Sequence, residues 1–476
     1  MSEPGPLRLA LLLADGSPRR LTAWAELLCR ASVPLQIVRP DRAQAAVHER
    51  GALPLPFDIP CLHVPAPVRS FGRPELHEAL ELCNPLIEEM DFPATGSWAG
   101  ELALAADVAG LCHALLHGAE EEGVALRDEH GRFPPEESLL VRRGLIDMPV
   151  ADRLGRSIGT MLWRLANRRE RLPDPEWFLC ATLDIDSAGM YRGRALARNL
   201  RTVWRMAPGS LPKAAGQAAM VHAGLMEDPH LRLRELAEAL EGMDVPATFF
   251  CQTHRRHRLD SYRLSCSSRL VRYLRRILKN GYHHVGLHGS YATRDLGRGF
   301  LGSQWRQLRR LLGPGIEPVH RAHYLREPAG APGQEITVDS TLGYGAREGF
   351  RRGTAMPFRL KEAEGRRGRP RVLLEAPPTL MDSTLAQFRG MTPEQAWETG
   401  RALMLRVRDS GGLFVPIWHP HNMEPLLWPG WGEVFLDLVT EAKRLGAQPL
   451  PLALAARSAD SRFAAIRGEV SRYHVT

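Results

Sequence analysis

The sequence predicts an α/β protein with a large parallel-sheet unit in its C-terminal part and a smaller α/β unit before it. At 476 residues the chain exceeds the size at which a single hydrophobic core usually stops growing, so more than one domain is expected. Strand-like apolar runs alternate with helical segments through most of the chain. Because this alternation is typical of βαβ units, the large unit is predicted to be a parallel barrel or a doubly wound sheet.

The first part of the chain has the pattern of a small open sheet. Strands are predicted at 7–13 and 35–38, and helices at 21–30, 98–117 and 150–169. No GxGxxG segment follows the first strand, so dinucleotide binding is not expected. Two prolines at 173 and 175 then interrupt the pattern. We therefore predict a small α/β domain of unknown role at 1–150 and a helical linker at 151–176.

The remainder, 177–460, repeats strand and helix. Strands are predicted at 178–183, 247–251, 284–287, 318–320, 372–374 and 413–418, and helices at 231–240, 268–278, 303–312 and 393–408. The last helix has Thr392 as its N-cap, Pro393 in its first turn and Gln395 three residues after the cap. In parallel α/β folds the functional residues lie in the loops at the carboxyl ends of the strands, so those ends are where chemistry is expected.

Composition excludes several classes of protein. The formal net charge is +8, but the basic residues are dispersed, with their densest group at 366–371, whereas nucleic-acid-binding proteins concentrate charge on one surface. Nucleic acid is therefore not an expected partner. No apolar run approaches the roughly 20 residues of a membrane span. The seven cysteines lack CxxC spacing, which predicts reduced thiols and a cytoplasmic protein.

Four of the predicted strands end in residues that suit metal-assisted hydrolysis. Asp184 and Asp186 end the first strand, and because strand residues alternate between faces, both carboxylates point the same way. His288, Arg321 and His419 follow three later strands. Two converging carboxylates are costly unless a cation or a catalytic task uses them. Together these side chains supply the ligands, base and acid that such a hydrolase needs.

Five segments, taken in order, resemble the successive motifs of the polysaccharide deacetylases, the NodB-homology or carbohydrate esterase 4 group. They are TLDID at 182–186, ATFF at 247–250, GLHGSY at 286–291, RAHY at 321–324 and IWH at 417–419. The resemblance covers roughly 177–455 and is strongest to a branch with a D-x-D first motif and an HxSY second motif, found in bacterial surface-polysaccharide gene sets. It implies a deformed (β/α) barrel for this part of the chain and says nothing of the first 150 residues, where the pattern predicts the smaller α/β domain.

The resemblance also implies a reaction, the removal of N-acetyl (sometimes O-acetyl) groups from sugars with a divalent metal, commonly zinc. Asp184 matches the catalytic base, Arg321 the arginine that holds the base, and His419 the general acid. Asp186 and His288 match metal ligands. Elementary chemistry agrees, because a divalent cation lowers the pKa of bound water from about 15.7 towards 7, so that a carboxylate suffices as base.

One position departs from the family pattern. Ala292 stands four residues after His288, where the family usually has a second histidine ligand. Catalytic zinc usually takes three protein ligands, so either another residue completes the site or the site holds no metal. The candidate replacements, with His323 and His421 preferred, are His323, His421, His257 and Asp295.

Further residues are predicted to contact a substrate. They lie in the loop after the ATFF strand, after the histidine and arginine motifs, and in a glycine-rich segment at 339–351. They are His257, Asp260, Tyr262, Tyr291, Tyr324 and Arg351. Asp382 follows the strand at 372–374 and is either another residue of the barrel mouth or a helix N-cap.

These observations favour a metal-dependent deacetylase whose substrate is an N-acetylated sugar, an oligosaccharide or a lipid-linked glycan. Two alternatives stay open. One is a deacetylase-like module without metal that binds glycan or scaffolds an assembly, and the other is a C–N hydrolase acting on a non-sugar amide. The sequence does not indicate an oligomeric state or the sugar.

Overall fold

The computed structural model describes residues 6–50, 52, 61–68, 70–88, 101–168, 172–191, 194–326, 335–360 and 373–473. The basic group at 366–371 lies outside these residues. Of the helices in the described ranges, none has the length and apolar character needed to cross a membrane. Six of the seven cysteines are buried, which agrees with the predicted thiols.

The N-terminal sheet has five parallel strands in the order β2-β1-β3-β4-β5. The strands are β1 (Leu7–Leu12), β2 (Leu35–Ile37), β3 (Ala45–Glu49), β4 (Cys61–Val64) and β5 (Glu101–Ala103). Its helices are α1 (Pro18–Cys29), α2 (Arg73–Leu82), α3 (Asn84–Glu88), α4 (Val108–Leu116), α5 (Leu139–Arg142) and α6 (Val150–Leu165). The segment predicted as one helix at 98–117 instead contains β5 and the shorter α4, because its beginning pairs with β4.

The described residues of the C-terminal part form twelve strands and eight α-helices. The strands are β6 (Trp177–Leu179), β7 (Ala181–Ile185), β8 (Ala247–Gln252), β9 (His284–Gly289), β10 (Val319–Ala322), β11 (Val338–Asp339), β12 (Phe358–Leu360), β13 (Leu373–Glu375), β14 (Leu380–Met381), β15 (Gly412–Phe414), β16 (Pro416–Trp418) and β17 (Gln448–Pro449). The helices are α7 (Arg194–Met206), α8 (Leu211–Ala223), α9 (Leu233–Gly242), α10 (Ser268–Lys279), α11 (Thr293–Leu312), α12 (Pro393–Ser410), α13 (Trp431–Arg444) and α14 (Leu452–Tyr473).

Nine of these strands form one curled sheet in the order β12-β13-β11-β10-β9-β8-β7-β16-β14. All neighbours are parallel except β12 and β13. From β7 to β11 the spatial order follows the chain, and β16 returns to the other side of β7. In a doubly wound sheet the order of the strands would reverse at a switch point. Of the two predicted architectures, the parallel barrel and the doubly wound sheet, this sheet resembles the barrel, in an open, barrel-like α/β fold. A second, three-stranded parallel sheet, β15-β6-β17, lies beside it.

Local sequence signals explain where several elements begin. The hydroxyl of Thr392 accepts a hydrogen bond from the backbone N–H of Gln395, and the Gln395 side chain accepts one from the N–H of Thr392. This capping box confirms the predicted start of α12. The strands of the large sheet are buried on both faces, as expected when helices cover a parallel sheet.

The two parts of the chain share one packed interior. Helix α6, predicted as part of a linker, contributes Leu154, Ile158 and Leu162 to the same apolar core as β1 and α1. Phe463 and Val470, from the C-terminal helix α14, belong to this core as well. The first and last helical segments therefore pack together, and the N-terminal sheet is held against the barrel-like part from both sides.

A buried carboxylate reinforces this junction. Asp152 of α6 accepts hydrogen bonds from Arg30 Nε (2.9 Å), Thr354 Oγ1 (2.6 Å) and the backbone N–H of Ala355 (2.6 Å). Both side chains of the ion pair are almost fully buried, 1% exposed for Arg30 and 0% for Asp152. Because Thr354 and Ala355 belong to the C-terminal part, one carboxylate links the two parts of the chain.

We predict that Asp152→Ala destabilises the whole protein by about 3–5 kcal/mol, because it leaves the Arg30 guanidinium buried without a counter-charge. Urea unfolding followed by circular dichroism measures this free energy. The matched control is Asp409→Ala, which removes the partner of Arg408 where both side chains are more than a third exposed, and should change stability by at most about 1 kcal/mol. Equal effects of the two substitutions would contradict this role for Asp152.

Candidate active site and metal centre

A cavity of about 370 Å³ opens at the carboxyl ends of the large sheet. Its lining includes the carboxylates of Asp184 and Asp186 and the imidazoles of His288, His323 and His419. These five residues come from the ends of β7, β9, β10 and β16, which lie together in the sheet. The structure therefore brings into one cleft side chains that are up to 235 positions apart in sequence.

Asp184 is held by a buried arginine. Arg321 Nη1 donates a hydrogen bond to Asp184 Oδ1 at 2.8 Å and lies 2.8 Å from Thr182 Oγ1. The Asp184 side chain is 4% exposed and that of Arg321 is 0% exposed. The second oxygen, Oδ2, is turned towards His288, 3.8 Å from its Nε2 atom.

Arg321 is in turn fixed from three directions. Its Nε donates to the carbonyl oxygen of Ser340 at 3.1 Å, and its Nη2 donates to Ser340 Oγ at 2.9 Å. The Phe250 ring lies under the guanidinium carbon, 4.4 Å from ring centroid to Cζ. These contacts join β7, β8, β10 and the segment after β11, so the position of Asp184 is set by three strands of the sheet and one adjoining segment.

Asp186, His288 and His323 form a group whose ligand atoms all lie within 4.8 Å of one another. Asp186 Oδ1 is 3.1 Å from His288 Nε2, and Asp186 Oδ2 is 3.3 Å from His323 Nε2. Ligands of tetrahedral zinc at 2.0–2.2 Å are separated by about 3.4 Å, so these spacings fit. Asp186 Oδ1 is buried without a hydrogen-bond partner, as expected of an oxygen whose partner is a cation. One carboxylate and two imidazoles form a ligand set of catalytic zinc.

The atoms behind the ligands support the same assignment. His288 Nδ1 donates to the carbonyl oxygen of Arg321 at 3.0 Å, which leaves the lone pair of Nε2 directed at the ligand group. For His288, this hydrogen-bonded second ring nitrogen is typical of histidines that bind metal. His323 Nδ1 lies 3.7 Å from the Asp260 carboxylate, a distance beyond a hydrogen bond.

The electrostatics of this group favour positive charge. Burial raises the pKa of Asp186, but His323 and His288 outweigh burial and hold it well below its ordinary value. Burial lowers the pKa of His323, yet the Asp186 carboxylate outweighs burial and raises it to about 9. The environment that stabilises a proton on His323 also favours a cation, which would replace that proton on binding.

Of the two preferred replacements for the missing histidine, the structure places His323 in the ligand group. His421 lies behind His419 and beside His230, with ring centroids 5.3 and 5.6 Å apart, and burial together with His419 lowers its pKa to about 3. His323 is turned inward by a tight turn in which Tyr324 has φ of 61°, the left-handed region. Such backbone strain in a non-glycine residue is characteristic of functional sites.

His419 lies across the cleft from Asp184 and is oriented by Asp382. The imidazole Nδ1 donates to Asp382 Oδ1 at 2.6 Å, and the backbone N–H of His419 donates to Oδ2 at 2.8 Å. Asn422 Nδ2 donates to the same carboxylate at 3.1 Å. Burial lowers the pKa of His419, but Asp382 and Asp186 outweigh it and raise the pKa well above its ordinary value. Its Nε2 points into the cleft, 3.5 Å from Asp186 Oδ2.

The residues predicted to contact substrate have different positions. Tyr324 lines the cleft, while Tyr291 stacks on His257 beyond the rim, with ring centroids 4.4 Å apart. Asp260 accepts hydrogen bonds from the backbone N–H groups of Arg256, His257 and Tyr291 and so fixes the loop behind His323. These contacts make Asp260 a support of the cleft wall.

Two of the predicted substrate contacts lie away from the cleft. Tyr262 is in the hydrophobic core, where its hydroxyl accepts a hydrogen bond from the backbone N–H of Gln252. Arg351 pairs with Glu121 of the N-terminal part through Nε and Nη2, at 3.0 and 2.9 Å. The glycine-rich segment that contains Arg351 packs against the N-terminal part, and this arrangement has no signal in the local sequence.

Sequence reasoning did not find several residues of the site. Ser340 and Asn422 have no motif of their own, although Asn422 directly follows the histidine segment. Arg132, Arg198 and His230 line the cleft from parts of the chain that carry no strand-end pattern. Their placement depends on the packing of the N-terminal part and of the segment between β7 and β8.

A second group of possible metal ligands lies in the N-terminal core, away from the cleft. Glu26 of α1 is 2.8 Å from Nδ1 of His113, on α4, and 2.9 Å from Nε2 of His117, which directly follows α4. These are hydrogen-bond distances, and the Glu26 carboxylate accepts one bond from each imidazole. The group links α1 to α4.

No family model and no curated protein matches this chain. One similar solved structure is a crystal structure described as a "putative polysaccharide deacetylase" from Mycobacterium smegmatis. The superposition covers 62% of this chain and 93% of that chain, with 18% sequence identity and a TM-score of 0.38. At these values the likeness does not establish an activity for this chain.

We predict that His323→Ala lowers the zinc content of the purified protein from about one equivalent to less than a tenth, because only two ligands would remain. His421→Ala is the matched control, since His421 also lines the cleft but lies outside the ligand group. Inductively coupled plasma mass spectrometry measures the content after zinc loading and gel filtration. Metal lost from the His421 variant and retained by the His323 variant would contradict the assignment.

Proposed function

We propose that this protein is a metal-dependent hydrolase that removes acetyl groups from the acetamido groups of a carbohydrate. The observation that carries the proposal is one juxtaposition. A carboxylate held by a buried arginine, Asp184, lies beside the Asp186–His288–His323 group, and a carboxylate-oriented histidine, His419, faces them across the same cleft. Hydrolysis of an unactivated amide needs a base beside an electrophile and an acid on the opposite side of the substrate.

In this proposal Asp184 acts as the general base. Its Oδ1 is engaged by Arg321, which leaves Oδ2 on the side of the ligand group to accept a proton from water. A divalent cation held by Asp186, His288 and His323 would polarise the acetyl carbonyl and acidify that water. Water oxygen then adds to the acetyl carbon, and the proton passes to the carboxylate.

In this proposal His419 acts as the general acid. The bond between the acetyl carbon and nitrogen breaks, and the departing nitrogen must receive a proton to leave as an amine. Nε2 of His419 is the cleft-facing nitrogen, while Nδ1 is held by Asp382. The products are acetate and an amino sugar. An O-acetyl ester would be cleaved by the same groups, with less demand on the acid because an alkoxide leaves more easily than an amide ion.

The choice of a carbohydrate, with zinc as the metal, rests on the resemblance of the five sequence motifs to polysaccharide deacetylases. The same resemblance favours a place in bacterial surface-polysaccharide synthesis. We propose that the reaction takes place in the cytoplasm, because the cysteine spacing is that of a reduced protein. A glycan-binding module would have no use for a proton donor opposite a base, which favours the enzyme.

We predict that Asp184→Asn lowers acetate release at least 100-fold, because the amide cannot accept the proton from water. The substitution keeps the size of the side chain, so circular dichroism and zinc content should match the wild type. Acetate is measured enzymatically with a panel of N-acetylated mono- and oligosaccharides. Asp437→Asn, an exposed carboxylate on α13, is the control. Undiminished release by the Asp184 variant would exclude it as the base.

We further predict that Asp382→Asn lowers kcat about 10- to 100-fold while zinc content is unchanged, because Asp382 orients His419 and touches no ligand atom. Steady-state kinetics of acetate release measure the effect. A loss of metal in this variant, with kcat per bound metal unchanged, would show that Asp382 supports the metal site and not the acid.

A further inference from the structure

The N-terminal part of the chain forms one wall of the cleft. Its segment at 128–132 crosses the rim of the barrel-like part, where Arg132 Nη1 donates to the carbonyl oxygen of Tyr324 at 2.7 Å. In return Arg326 Nε donates to the carbonyl oxygen of His130 at 2.7 Å, and Arg294 donates to that of Gly131. Reciprocal bonds to backbone atoms hold this segment beside the residues that follow β10.

These contacts place the Arg132 guanidinium at the cleft. The residue lines the cavity, and its side chain is only 9% exposed. Asp128 accepts from Arg132 Nε at 2.7 Å and from its backbone N–H at 2.8 Å, which fixes the side chain. Gly345 lies against the guanidinium so closely that a Cβ there would be 2.0 Å from Nη1. The arginine is therefore held in place from three sides.

Arg198 brings a second positive charge to the same cavity. It lies on α7, in the segment between β7 and β8, and its exposed side chain has no hydrogen bond or ion pair with any residue that the structure describes. Burial and Arg198 together lower the pKa of His230 to about 3, so His230 adds no charge at neutral pH.

The carboxylates of the cavity do not balance these arginines. Asp184 is paired with Arg321, and Asp186 belongs to the proposed ligand group. A divalent cation at the ligand group would add further positive charge. With Asp128 counted against Arg132, the charge of Arg198 remains uncompensated by any described carboxylate of the cavity lining.

We propose that Arg132 and Arg198 form a subsite for an anionic group of the substrate, a phosphate or a carboxylate carried by the acetamido sugar or by its neighbour. The inference rests on the proposed deacetylase function and specifies its substrate class. Guanidinium groups bind these anions through charge-assisted hydrogen bonds. A phosphorylated or lipid-linked sugar, or a glycan with acidic units, satisfies the subsite, and a neutral sugar does not.

The test compares acetamido sugars that carry an anionic substituent with one that carries none, and it uses the zinc-loaded, full-length protein. The probes are N-acetylglucosamine 1-phosphate, N-acetylmuramic acid and N-acetylglucosamine, and inorganic phosphate serves as the anion alone. Titration calorimetry measures Kd for each, and acetate assays run in parallel. We expect the anionic sugars to bind at least tenfold more tightly than the neutral sugar, and the stronger of the two identifies the anion as phosphate or carboxylate.

Variants show whether the two arginines cause the preference. Arg198→Gln and Arg132→Gln should each weaken binding of the preferred anionic sugar about tenfold, the value of one charge-assisted hydrogen bond, without changing the Kd of the neutral sugar. Arg201→Gln is the matched control, an exposed arginine on α7 that does not line the cavity. Arg132 also holds the 128–132 segment. If the Arg132 variant unfolds for that reason, the result with the Arg198 variant decides the test.

The outcomes separate this inference from the proposed function. Equal Kd values for charged and neutral sugars, or no binding of either anionic sugar or of phosphate, overturn the subsite. Charge-selective binding that depends on Arg198, with no acetate released from any probe, supports the subsite and counts against the deacetylase. Equal acetate release from charged and neutral sugars supports the deacetylase and counts against the subsite.

Discussion

The buried ion pair between Asp184 and Arg321 is the interaction on which the candidate site depends. Arg321 contacts strands on both sides of its own, and its carbonyl oxygen also receives the hydrogen bond that orients His288. The proposed base, one ligand and the strand that leads to His323 thus share one residue. A buried guanidinium is costly without its partners, so the fold tolerates Arg321 only where all of these contacts are made.

The part of the site that was predictable from sequence is the part governed by local rules. Alternation along a strand places Asp184 and Asp186 on one side, and parallel strands bring their carboxyl ends together, which places His288 and His419 in the same cleft. The choice between His323 and His421 was not predictable. Both follow strand ends, and what separates them is the left-handed turn at Tyr324, which strand periodicity does not encode.

Long-range packing accounts for the remaining differences. The strand–helix alternation predicted the α/β class and most elements, yet the attachment of α6 and α14 to the N-terminal core and the pairing of Arg351 with Glu121 depend on residues far apart in sequence. The same holds for Arg132, which reaches the cleft because its segment binds backbone atoms near Tyr324. The N-terminal part, which carries no chemical motif, thereby becomes part of the cleft.

The most direct test of the central claim is acetate release by the purified protein with its metal removed and restored. The protein is assayed with acidic and neutral N-acetylated sugars after zinc loading, after dialysis against a chelator, and after zinc is added again. We predict acetate release that chelation abolishes and zinc restores, in proportion to the metal bound at Asp186, His288 and His323. Release that is unaffected by chelation, or no release from any N-acetylated sugar with one equivalent of zinc bound, would contradict the account.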